Sequence, residues 1–147
     1  MQRIAILLLV AISANFPSLA RAGGISGNQA LQAVASAKGG ALLGSLLEMR
    51  GADGSPQPAQ WTLGFKDETA RGGVREFVVN ETGIAGERTP LQPGDIASAA
   101  PVAAASIRTD STEVFAAANA EAAKAMIGFY SLNYRLRDKA GTPVWLA

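Results

Sequence analysis

The 147-residue chain contains no cysteine and no histidine, and these two gaps exclude most of the common catalytic and metal-binding constellations. Ser-His-Asp and Cys-His nucleophilic sites both need an imidazole, and the usual zinc sites need imidazole or thiolate. Without cysteine there is no disulfide framework, so the fold must rest on its core, and no thiol is present for the lipid of a lipoprotein. Lysine is also scarce. Only Lys38, Lys66, Lys124 and Lys139 are available for a Ser–Lys pair, and Ser36 and Lys38, two apart on a predicted helix, face different sides. Asp53-Gly54-Ser55 is too sparse in oxygen ligands for a calcium loop. No catalytic residues, metal ligands or cofactors are assigned.

No acidic residue occurs among the first 22. Arg3 forms a positive start, Ile4 to Ala14 an apolar run, and Ala20-Arg21-Ala22 a small-x-small cleavage signal before Gly23, the pattern of a secretory signal peptide. The apolar run stops at Asn15 and Pro17, short of the about 20 residues of a membrane-spanning helix. Cleavage leaves 125 residues (147 − 22), a length suited to one domain. It also removes Arg3 and Arg21, taking 13 basic and 12 acidic residues to 11 and 12. The near-neutral balance gives no charge-based case for nucleic acid or anionic lipid. Disulfide-free export with an Ala/Gly/Arg-rich composition fits the bacterial periplasm or medium, with no membrane anchor after cleavage. In that setting the sequon Asn80-Glu81-Thr82 reads as a strand end and turn.

Ser26 and Gln29 form a capping-box pattern, and Leu31, Val34 and Ala35 follow at helical spacing, which predicts a helix over 28–38. Gly39-Gly40 interrupts it. "ALLGSLLEMRG" (41–51) reads either as a buried helix or as a strand, with a helical start and an extended end near Glu48–Arg50 the preferred form. A turn at 52–56 leads to Trp61, Leu63 and Phe65, which alternate with Thr62, Gly64 and Lys66 as in a one-sided strand. "DETARGG" (67–73) is a turn before the strand "VREFVV" (74–79), and Asn80 to Gly83 ends it. Residues 89–105, with three prolines, read as a connector holding one short helix near 95–100. Asp110 and Glu113 then suit the N-cap and N3 of a second helix ending near Gly128, with Val114, Phe115, Ala118, Ala122, Ala125, Met126 and Phe129 on one stripe. Leu132, Tyr134 and Leu136 alternate with Asn133, Arg135 and Arg137, and the turn 138–143 returns the chain to "VWLA".

Aligning Phe65-Lys66-Asp67 with Leu136-Arg137-Asp138 sets Trp61 opposite Leu132, Leu63 opposite Tyr134 and Phe77 opposite Trp145. Both halves then read helix, strand, charged turn, strand. The expected fold is α+β: two helix-strand-strand units, about 28–88 and 106–147, with the helices packed on one face of a curved antiparallel sheet. The expected core is Leu31, Val34, Leu42, Leu46, Trp61, Leu63, Phe65, Phe77, Val79, Val114, Phe115, Ala118, Ala122, Met126, Leu132, Tyr134, Leu136 and Trp145.

The first helix, "WTLGF", "VREFVVNETG" with its turn glycine, and the second helix with "YSLNYRLRD" resemble the tandem PepSY-like, cystatin-related α+β domains of exported bacterial proteins, over residues 28–147. The second unit stops before a turn glycine matching Gly83. The resemblance implies non-enzymatic roles: binding, inhibition or modulation of peptidases, or assembly at the cell envelope.

"RGGVRE" (71–76) reads as a glycine-relieved turn rather than an RNA motif, given export and near-neutral charge. Arg71, Arg75 and Arg88 are candidates for anion or carboxylate recognition if they gather at one end of the sheet. Trp61 and Trp145 read either as core or as interface anchors, with alternation favouring core, and Trp145 is carried as a candidate binding residue. Asp67 and Asp138 are the carboxylates a hydrolase would use, against the plainer reading of solvated hairpin tips. The expected function is non-catalytic binding of an exported protein or peptide by pairing along "VWLA" as an edge strand. The alternative is a modulator or inhibitor of a secreted peptidase that contacts it through the tips 67–73 and 138–143.

Overall fold

A computed structural model describes residues 23–147, and the expected signal peptide at 1–22 lies outside the described residues. The first helix, α1 (Gly27–Lys38), starts as its capping box dictates. Ser26 Oγ accepts from the Gln29 amide at 3.3 Å, and Gln29 Oε1 accepts from the Ser26 amide at 2.8 Å. Ala30, Leu31 and Val34 form its buried face. Gly39, at φ 95°, ends the helix, and a 3-10 helix over Gly40–Ser45 leads into β1 (Leu46–Gly54). The ambiguous stretch is thus a helical start and a strand.

The remaining strands are β2 (Trp61–Lys66), β3 (Val74–Asn80), β4 (Gly83–Arg88), β5 (Leu132–Lys139) and β6 (Thr142–Leu146), with the second helix, α2 (Ser111–Lys124), between β4 and β5. All six strands form one antiparallel sheet in the order β4-β3-β2-β1-β5-β6. The fold is therefore α+β. β1 joins the two predicted hairpins: Met49 pairs with Leu63 on one side and Leu136 on the other. β4 extends the sheet beyond β3, so α1 is followed by four strands and α2 by two.

Strand alternation assigns Trp61, Leu63, Phe65, Met49, Phe77, Val79, Tyr134 and Leu136 to one face, where they join Ala30, Leu31 and Val34 of α1 in a single cluster. Val114 and Phe115 of α2 pack against that cluster, as does Trp145. The other face carries a smaller cluster of Leu47, Val74 and Ile96. Ile96 lies in the connector's 3-10 helix Gly94–Ser98, which crosses to this face. It settles over Gly64, where an added Cβ would come within 2.5 Å of Ile96 Cδ1. The connector then returns, with Val102 buried in the main cluster and its amide donating to the Leu46 carbonyl at 2.6 Å. Cover on both faces is why Leu46 to Met49 are all buried.

α2 begins as expected, at Asp110 with a capping box to Glu113, but ends at Lys124, before the predicted Gly128. Met126 adopts φ 55°, which turns the chain away and leaves its side chain 93 % exposed. The helical stripe therefore stops short of Met126, which is not core. Phe129 meets Phe115 edge-on at 5.4 Å instead. Of the other expected core residues, Leu42, Val114, Phe115, Ala118, Leu132 and Trp145 are partly buried and the rest buried.

The β5–β6 turn is Ala140-Gly141, with φ 53° and 83°, closing on the Lys139–Thr142 pair. Two consecutive left-handed residues define a type I′ turn, for which Asn-Gly is preferred. Ala140 carries a left-handed cost of about 1–2 kcal/mol. Ala140→Gly or Ala140→Asn is expected to stabilise the chain by up to about 1 kcal/mol, read as a rise in urea midpoint. An unchanged or lower midpoint would contradict this turn assignment.

Candidate functional site: an arginine-carboxylate face and an edge-strand groove

The face of the sheet away from the helices carries a network of ion pairs built by strand register. Glu76 pairs with Arg88 and with Gly64, and Glu48 pairs with Gly64 and with Arg137, so these residues form one row across the sheet. In the next row Arg50 stands directly opposite Arg135. Glu48 is 1 % exposed and Glu76 3 % exposed. Carboxylates removed from water need several donors, and here arginines supply them. Glu48 accepts from Arg135 Nε and Arg137 Nε, and lies 3.5 Å from Arg50 Nη1. Glu76 accepts from Arg88 Nε at 2.6 Å and Arg50 Nη2 at 2.7 Å. Arg50, on β1, thus reaches across β2 to a carboxylate of β3.

Asp95, carried over by the connector, closes the network. Its two oxygens accept from Arg137 Nη1 and Nη2 at 2.6 and 2.9 Å, a two-toothed carboxylate–guanidinium pair. The hydrogen bond to Arg137 lowers the Asp95 pKa to about 2. Asp67, in the β2–β3 turn, is also lowered to about 2, first by the Thr69 hydroxyl and then by Arg75 Nε at 2.6 Å. A carboxyl whose folded pKa lies below its ordinary 3.8 stabilises the fold above that value, and the benefit disappears as pH falls towards the folded pKa. Melting temperature is therefore expected to drop between about pH 4 and pH 2, and Asp67→Asn with Asp95→Asn should reduce that drop. Both groups contact solvent, so high salt should reduce it too. Circular dichroism melts across that range, with an equal drop in the double variant, would contradict these pairings.

The second feature lies at the sheet edge. Among the described residues, β6 has no neighbour beyond it in the sheet. Its turn closes on Lys139–Thr142, so Thr142, Val144 and Leu146 direct their backbone groups at β5, and Pro143 and Trp145 direct theirs outward. Pro143 is tolerated because its missing N–H would face away from the ladder. The free edge offers the Pro143 carbonyl and the Trp145 N–H and carbonyl. Beside it, a groove of about 610 Å³ runs between α2 and β6, lined by Val114, Ala117, Ala118, Leu136, Val144 and Trp145 among others. Leu146 is exposed at the strand's end.

The structure separates the arginines expected to act together. Arg71 is exposed in the β2–β3 turn. Arg75 pairs with Phe65 in register, which places it on the helix-covered face, where it bonds Asp67 and Glu87. Arg88 lies on the opposite face, bonded to Glu76. Arg88 instead joins Arg50, Arg135 and Arg137. The sequence signal for that group was the two-residue spacing of Arg135 and Arg137, which puts both on one face of a strand. Trp145 is half-buried, edge-on to Trp61 at 5.9 Å and Tyr134 at 6.3 Å, and its indole N–H donates to the Thr109 carbonyl at 2.8 Å.

Asp67 and Asp138 serve their own turns. Asp67 Oδ1 accepts from the Thr69 amide and hydroxyl, and Asp138 Oδ2 accepts from the Gly141 amide. Among the described residues, no group of three or more acidic, His or Cys side chains is placed to hold a metal ion, and no helix is long and apolar enough to cross a membrane. β2 and β5 both run antiparallel to β1, so the tips 67–73 and 138–143 project from the same end of the sheet. Comparison of the chain with protein-family models, curated proteins and solved structures finds no match.

Proposed function

We propose that this chain is an exported, non-catalytic module of the bacterial periplasm or cell surface that binds an extended segment of another protein along β6. The observation that carries this reading is the combination of a free strand edge with an apolar groove beside it. A segment lying along β6 would exchange main-chain hydrogen bonds with Pro143 and Trp145, and its alternate side chains would enter the groove under α2. Export is supported by the cleavage pattern at Ala20-Arg21-Ala22. The resemblance to PepSY-like domains, with two related helix-hairpin halves, supports a binding role, and β1 and β4 would then be additions to the first half. A non-catalytic role is supported by the lack of histidine and cysteine and by carboxylates committed to their own turns.

Linear peptides selected from a displayed library against residues 23–147 test the reading. Their binding should weaken at least tenfold when residues 143–147 are removed, with thermal melting recorded alongside. Unchanged binding by a folded truncated chain would overturn it. A modulator or inhibitor of a secreted peptidase is the second reading, favoured by the shared end from which both hairpin tips project. Inhibition of co-secreted peptidases that is lost on replacing residues 67–73 or 138–143 would support that alternative.

A further inference from the structure

We propose that the arginine face of the sheet is a second binding site, independent of β6, for an acidic peptide segment of a partner protein. Two of the network's carboxylates, Glu48 and Glu76, are buried underneath, whereas the side chains of Arg50, Arg88 and Arg135 are 45, 57 and 41 % exposed, and the third carboxylate, Asp95, is exposed over Arg137. Away from Arg137 a partner therefore meets cations first. Arg88 and Arg135 engage their buried carboxylates through Nε, which leaves the outer Nη edge of each guanidinium directed away from that bond. Arg50 and Arg135 are like charges directly opposite one another on neighbouring strands, an arrangement that is unfavourable unless an anion compensates it. Glu48 is shared among three arginines, so it compensates only part.

The chemistry of an anion that suits these guanidiniums is indicated within the fold. Asp95 comes from a distant connector and seats its carboxylate two-toothed on Arg137, 3.6 Å from Arg135 Nη2. A carboxylate from another chain can take the same geometry on the neighbouring guanidiniums. Room exists beside them. A groove of about 770 Å³ is lined by Arg50, Arg135, Thr62, Gln60 and Asn133, with the buried Glu48 and one exposed carboxylate, Asp53, also on its wall. Arg50 on β1 and Arg135 on β5 lie one strand spacing apart, about 5 Å, so acidic side chains of one short extended segment reach both. Residues 23–147 carry 11 basic and 12 acidic groups (13 − 2 and 12), whereas the ion-pair network sets four arginines against three carboxylates, Glu48, Glu76 and Asp95.

The test titrates a hexaglutamate peptide into residues 23–147 at low salt, followed by calorimetry, with the wild type and two variants. Arg135→Gln should weaken binding at least fivefold. Asp95→Ala, on the exposed connector, should strengthen it severalfold, because it frees Arg137 and Arg135 from their internal carboxylate. Opposite shifts from these two variants distinguish site occupancy from general loss of folding. Saturating β6 with a library-selected linear peptide should leave this binding unchanged, so failure here is separable from failure of the edge-strand reading. No binding by either the wild type or Asp95→Ala, or equal binding by all variants, would overturn the proposal. So would preferential binding of phosphatidylglycerol vesicles or single-stranded DNA over the peptide.

Discussion

Replacing Trp61 with alanine is expected to lower the unfolding free energy by about 4 kcal/mol, in the upper range for large-to-small changes in a core. The residue is 0 % exposed and sits on β2 between Val79 of β3 and Gly51 of β1. Its ring lies 5.5 Å from Tyr134 and 5.9 Å from Trp145, so truncation removes the common neighbour of both. Gly51 cannot fill the space, and a Cβ there would already meet Pro58 at 2.5 Å. The lost indole N–H also leaves the Ile25 carbonyl, its acceptor at 2.7 Å, without that donor. Trp61→Phe isolates the two contributions: it keeps most of the ring and loses the hydrogen bond, for an expected cost of about 1–2 kcal/mol. Urea denaturation followed by far-ultraviolet circular dichroism measures both. A loss below about 1 kcal/mol for alanine would contradict the placement of Trp61 at the centre of the core.

Glu48→Ala is expected to cost about 3 kcal/mol, the lower end for breaking a buried ion-pair network. Three arginines converge on this carboxylate. Removing it leaves Arg50, Arg135 and Arg137 facing one another, with Glu76 still on Arg50 and Asp95 on Arg137 as the remaining anions. Their partial exposure lets them turn towards water, which keeps the cost from going higher. The distinguishing feature is salt dependence. Raising the salt concentration should recover part of the variant's loss by screening arginine repulsion, while Trp61→Ala should show no such recovery. A Glu48→Ala variant within about 0.5 kcal/mol of wild type would mean that the carboxylate is not the hub of the face.

The parts of the fold that could be read in advance are those with one-sided burial. Trp61, Leu63 and Phe65 alternate because only the helix side of β2 is apolar along its length, and Leu132, Tyr134 and Leu136 repeat that pattern on β5. Ser26-Gln29 and Asp110-Glu113 mark the helix starts because capping is local chemistry. β1 was ambiguous for an equally physical reason: Leu46 to Met49 are covered on both sides, by α1 and the connector, so periodicity vanishes. β4, "GIAGER", has two glycines and one large apolar residue, and its existence depends on β3 rather than on its own propensity.

The candidate site was harder to read because its members meet only through register. Arg50 and Glu76 are 26 residues apart, and Arg137 and Glu48 are 89 apart. No spacing rule links them. Arg71, Arg75 and Arg88 looked like a group because they are close along the chain, but alternation sends Arg75 to the side of Phe77 and Arg88 to the side of Glu76. Met126 looked like core because it continued a helical stripe, and its left-handed turn depends on where α2 stops.

Docking at β6 is read out by amide hydrogen exchange of residues 23–147 with and without a library-selected linear peptide. The Trp145 N–H faces outward and should exchange quickly in the free chain, then slow at least tenfold when the peptide pairs with it. Protection confined to the hairpin tips at 67–73 and 138–143, or to β4, with Trp145 exchanging as before, would contradict the account.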